Sequence, residues 1–97
     1  MNTYKRALQA WGKEPQMLQV IEEMSELTKE ILKNINRKKD NVIEIIEETA
    51  DVEIMLEQLK ICYNISSQVA EYKAEKLKKI DQRLDEWERK NNDKSVA

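Results

Sequence analysis

The only glycine and the only proline of this 97-residue chain stand close together, at Gly12 and Pro15. No other position carries the helix penalty of those two residue types. Glu, Lys, Leu, Ile and Gln are prominent and Phe is absent, so the composition favours helix over sheet. Charged residues make up 37% and apolar residues 40%, which fits long amphipathic helices with solvated outer faces. The length suits a single domain, residues 1–97.

Apolar spacing divides the chain into about four helices. Met1–Gly12 reads as a short first helix with Tyr4, Leu8 and Trp11 on one side. A second, about 15–33, starts near Pro15 and carries Met17, Val20, Ile21, Met24, Leu27, Ile31 and Ile35 at the 3.6-residue period. The polar, basic segment Asn34–Asn41 reads as a loop. Asp40 or Asn41 is expected to cap a third helix, about 42–63, with Glu44 echoing a capping box. Its stripe is Val42, Ile45, Ile46, Thr49, Val52, Leu56, Leu59 and Tyr63. Asn64–Ser66 offers a stop and a new start. A last helix, about 66–90, is expected to turn Val69, Leu77, Ile80, Leu84 and Trp87 inward, before a fraying tail, Asn91–Ala97. The fold expected is an all-α helical bundle whose small core is completed by oligomerisation.

The net charge of −2 argues against a nucleic-acid polymer as partner. No apolar run reaches the roughly 20 residues of a membrane span and no signal-peptide pattern opens the chain, so a soluble, cytoplasmic protein is expected. Cys62 is the single cysteine and reads as a small core residue. Histidine is absent, which removes His-based acid–base chemistry, serine-protease-type triads and the usual zinc ligand sets.

Acids are placed where they repel. Glu44 and Glu48, Glu47 and Asp51, Glu53 and Glu57, Glu22 and Glu26, and Glu26 and Glu30 are each four apart. Such a pair costs a helix about 0.2–0.5 kcal/mol, unless a divalent cation lies between the carboxylates. At 100° per residue, Glu48 falls at the edge of the third helix's stripe and Asp51 one turn on. Glu23 borders Leu27 on the second helix, with Glu26 again one turn on. Four carboxylates leaning over one seam need a cation, and hard oxygen ligands suit Mg²⁺ or Mn²⁺. The competing reading is a set of solvated acidic faces on a non-catalytic helical assembly protein. A carboxylate-bridged di-iron bundle fails because its Glu-x-x-His ligands are missing.

Glu22-Glu23-Met24-Ser25-Glu26, followed after 21 residues by Glu48-Thr49-Ala50-Asp51, resembles the EExxE…ExxD signature of MazG-like nucleoside triphosphate pyrophosphohydrolases. That all-α superfamily includes dimeric dUTPases and dCTPases. The likeness runs from about Trp11 to Leu59, through IEEMSEL and EETADVEIML. It implies that Glu23, Glu26, Glu48 and Asp51 hold Mg²⁺, with Glu22 in support. It also implies hydrolysis of a nucleoside triphosphate to the monophosphate and pyrophosphate, a nucleotide-pool house-cleaning role, and a homodimer or homotetramer. Glu22 or Glu47 is the candidate to orient or deprotonate the attacking water.

Lys76, Lys79 and Arg83 share one face of the last helix, and EKLKKIDQRL is similar to the basic C-terminal helix with which family members hold phosphates. A solvated face among mixed charges is the plainer alternative. Lys13 and the Arg37–Lys39 run are weaker phosphate candidates. Trp11 is the aromatic best placed to meet a base, or else it caps the bundle core. Trp87, Tyr63 and Tyr72 read as core or interface, and Met17, Met24 and Met55 as core fillers. The choice among canonical NTPs, dUTP or dCTP, and damaged nucleotides stays open.

Overall fold

A computed structural model describes residues 2–96, with side chains through Asn92. The chain is all-α, with no strand among the described residues. Its helices are α1 (Thr3–Trp11), α2 (Lys13–Asn36), α3 (Val42–Tyr63) and α4 (Ser66–Val96). They fall into two compact units, Met1–Asn64 and Ile65–Ala97.

In the first unit α2 and α3 form the main packed pair, and α1 packs on both. The α1–α2 turn needs one residue. Gly12 takes φ 88°, ψ 163°, a conformation essentially reserved for glycine, and donates its N–H to the Leu8 carbonyl at 2.9 Å. Helix α2 starts at Lys13, slightly before the expected point, and Pro15 falls in its first turn, where a missing N–H costs nothing. At the other end of α2, Lys38 adopts the left-handed conformation (φ 52°) that reverses the chain.

The expected capping box at Asn41 does not form. Asn41 occupies the N-cap position of α3, but its side chain makes no capping bond. At 1% exposure it turns inward instead: Nδ2 donates to the Glu30 carbonyl at 2.9 Å, and Oδ1 accepts from Asn34 Nδ2 at 3.2 Å. A tertiary bond to α2 displaces the local one. At the opposite end of the pair, Gln58 (2% exposed) donates Nε2 to the Tyr4 carbonyl and to Gln16 Oε1, both at 2.9 Å, joining α1, α2 and α3. These two sets of bonds fix α2 and α3 as antiparallel neighbours.

The seam between them does not follow the apolar stripes. Its buried or half-buried positions include Gln16, Val20, Glu23, Leu27 and Glu30 on α2, the cap residue Asn41, and Ile45, Glu48, Val52, Met55, Gln58 and Leu59 on α3. Val20 and Val52 are the buried apolar residues among those described. Ile21, Met24, Ile31, Ile35, Val42 and Ile46 are exposed. Their stripes are wider than one neighbouring helix can cover, and polar side chains hold part of the covered strip.

Helix α4 begins where expected, after Asn64 closes α3 in the left-handed conformation. It continues to Val96 instead of ending near Lys90; Ala97 lies outside the described residues. Leu77, Ile80, Leu84 and Trp87, expected inward, are exposed, because a lone amphipathic helix offers its stripe no cover within its own unit. Tyr72 is exposed as well.

Gly12→Ala tests the α1–α2 turn. An added Cβ would meet only Pro15 Cδ, at an ordinary 3.8 Å, so the penalty is conformational. Chemical denaturation should register a loss of about 1–3 kcal/mol.

Candidate functional site

Midway along the seam, α2 presents Glu23 while α3 presents Glu48 and, one turn on, Asp51. One carboxylate oxygen from each lies within 4.8 Å of the other two. Glu23 and Glu48 are half-buried because they occupy seam positions; Asp51 is exposed at the edge. Gln19, one turn before Glu23, donates Nε2 to Glu23 Oε1 at 2.7 Å and orients that carboxylate. Glu48 Oε2 is buried with no hydrogen-bond partner. Desolvation holds the Glu48 carboxyl above its ordinary pKa, and the charges of Asp51, Glu23, Glu26 and Glu30 push the same way. An orphaned carboxylate oxygen among like charges, with only oxygen donors beside it, fits a hard divalent cation such as Mg²⁺ or Mn²⁺.

The remaining acids lie around this group. Glu26 is exposed and is not one of the three, although its charge reaches Glu48. Glu22 and Glu47 are exposed, each next in sequence to a clustered acid and so about 100° around its helix. Glu30 was not anticipated as a site residue. It faces the seam one heptad after Glu23, and its Oε2 is also buried without a hydrogen-bond partner. The nearest cation to that oxygen, Lys33 Nζ, is 3.6 Å away. Seven-residue spacing from Glu23 was the available signal.

Beside the acids, α1, α2 and α3 enclose an open, largely apolar cleft of about 840 Å³. Tyr4, Trp11, Gln16, Gln19, Met55 and Gln58 are among its lining residues. Trp11 is 67% exposed and therefore does not cap the core. Gln19 belongs to both features, lining the cleft and holding Glu23. Gln16, Gln19 and Gln58 carried no sequence signal, because an amide within a mixed helical pattern is not marked as buried.

The cations are placed differently. Lys13 Nζ sits 4.4 Å from the centroid of the half-exposed Tyr63 ring. Lys76, Lys79 and Arg83 are exposed on α4 at i, i+3 and i+7, one face of that helix. Arg83 forms a shallow surface depression there with Ile80, Leu84 and Trp87. Arg37, Lys38 and Lys39 are exposed in the loop.

Compared with known proteins, the chain matches no protein-family model, no curated protein and no solved structure.

The raised Glu48 pKa has a definite sign. In metal-free buffer it contributes stability below the ordinary value near 4.5, and that contribution is lost as pH rises through the raised value. Glu48→Gln has no such proton to lose. Thermal melts in EDTA from about pH 4 to about pH 8 should therefore show the variant gaining on the wild type as pH rises. Parallel curves would mean that the carboxylate is already screened.

Proposed function

We propose that this chain is a metal-dependent nucleoside triphosphate pyrophosphohydrolase of the MazG-like kind. It cleaves a (d)NTP between the α and β phosphates to give the (d)NMP and pyrophosphate, working as a homodimer or homotetramer. The observation that carries this reading is the convergence of Glu23, Glu48 and Asp51, with the orphaned Glu48 Oε2 among them, beside an apolar cleft fronted by Trp11.

Glu23, Glu48 and Asp51 would hold the cation, with Glu26 joining from its exposed position one turn after Glu23. When bound, a divalent cation supplies positive charge that screens the phosphates and stabilises charge in transfer. The chain's own part is to position and to move protons. Gln19 fixes Glu23, while Glu22 or Glu47, exposed and adjacent to the cluster in sequence, orients or deprotonates the attacking water. Trp11 offers a ring face to the base. Phosphate binding by Lys76, Lys79 and Arg83 rests on the resemblance and on the exposure of these cations.

The rival reading, a non-catalytic assembly protein, is favoured by the exposed apolar side chains Leu18, Ile21, Ile35, Ile43 and Ile46. Those surfaces equally suit the oligomer of an enzyme. Pyrophosphate release from NTPs and dNTPs, with Mg²⁺ or Mn²⁺, separates the two readings. Metal-dependent release is expected, reduced about 100-fold or more by Glu48→Gln. An inert protein whose melting is unmoved by either metal would leave the assembly reading standing.

A further inference from the structure

The Gln58 carboxamide lines the cleft with part of its hydrogen-bonding capacity unused. The Tyr4 carbonyl can only accept, so it fixes the Gln58 nitrogen towards α1. The second Nε2 hydrogen goes to Gln16 Oε1. Both donors are thereby used within the protein, and the amide cannot turn over without setting its oxygen against the Tyr4 carbonyl. What is left is Oε1, a buried acceptor with no hydrogen-bond partner, on a residue that lines the cleft. A buried acceptor of this kind costs stability until a donor reaches it.

The other walls limit what that donor belongs to. Tyr4, Trp11, Pro15, Ile54 and Met55 make the cleft mostly apolar, and the exposed Trp11 ring offers a stacking face. A planar heterocycle with an N–H on its edge satisfies both features. Oε1 is covered in the free protein, so entry takes a small displacement. Met55, unbranched and one turn before Gln58, is the lining side chain best suited to move.

We infer that Gln58 is a specificity-determining residue of this cleft, its fixed carboxamide oxygen accepting an N–H from the edge of a nucleobase lodged beside Trp11. This deepens the nucleotide reading and rests on it for the class of ligand. The role is narrow: Gln58 presents an acceptor and no donor.

Nucleosides test it without hydrolysis, since they carry no anhydride. Uridine, cytidine, adenosine and guanosine are titrated into wild-type protein in EDTA, with Kd read from the Trp11 indole signal by NMR. The tightest binder is then compared with its derivative in which every N–H on the edge of the base is replaced by N-methyl (3-methyluridine, or the dimethylamino forms of cytidine and adenosine). Methylation should weaken binding to the wild type about tenfold or more. Gln58→Met, shown by its melt to be folded, should bind both forms alike. Equal binding of the two forms by the wild type overturns the inference whether or not the variant folds. So does discrimination retained in folded Gln58→Met. If no nucleoside binds while pyrophosphate is still released with metal, the inference falls and the hydrolase reading survives. Methyl-sensitive binding without release leaves Gln58 in its role and removes the hydrolase.

Discussion

Everything in the first unit depends on carboxylates occupying the strip where α2 and α3 meet. Val20, Leu27, Ile45, Val52, Met55 and Leu59 join the helices by hydrophobic burial, while Glu23 and Glu48 set like charge between them. Desolvation and four neighbouring acids raise the Glu48 pKa, so the helices come together most easily when that site is neutralised. A proton and a divalent cation are the two neutralisers available, and they compete for the same oxygens. Acid therefore favours the empty pair while neutral pH leaves the oxygens open to metal. The strain at the seam and the fitness of the seam for a cation have one origin.

Buried amides make such a seam tolerable. Asn41 closes the loop end by bonding the Glu30 carbonyl, and Gln58 closes the opposite end through Tyr4 and Gln16. Between them lie the buried Val20 and Val52 and the clustered acids. Hydrogen bonds at both ends hold register without needing the middle to attract. An amide is suited to this because it binds backbone and side chain together while carrying no charge to desolvate.

Helix number and most boundaries were legible because their causes are local: Gly12 with its Gly-only conformation, and Asn64 in the left-handed region. The grouping of Glu23, Glu48 and Asp51 was legible from i,i+3 acids at stripe edges. Glu30 was not, since a 3.6-residue stripe drifts away from it whereas the observed contacts repeat every seven residues, at Gln16, Glu23 and Glu30. Asn41 stands at the expected N-cap position, but its side chain ties α3 to α2, and the two roles look identical in sequence. Gln58 was invisible for a related reason: nothing in the chain marks a glutamine as buried until its partners, 42 and 54 residues away, are brought to it.

The same polar seam accounts for the apolar surface. Seam positions given to Gln16, Glu23, Glu30, Asn41, Glu48 and Gln58 are unavailable to isoleucine and leucine, which therefore lie on the flanks. Ile21, Ile35, Ile43 and Ile46 are exposed on α2 and α3. In the reading proposed above, a second copy offers matching flanks against which this apolar surface is buried. In the proposed enzyme, oligomerisation and the acidic site are two consequences of one choice, the placement of carboxylates where a core would otherwise be.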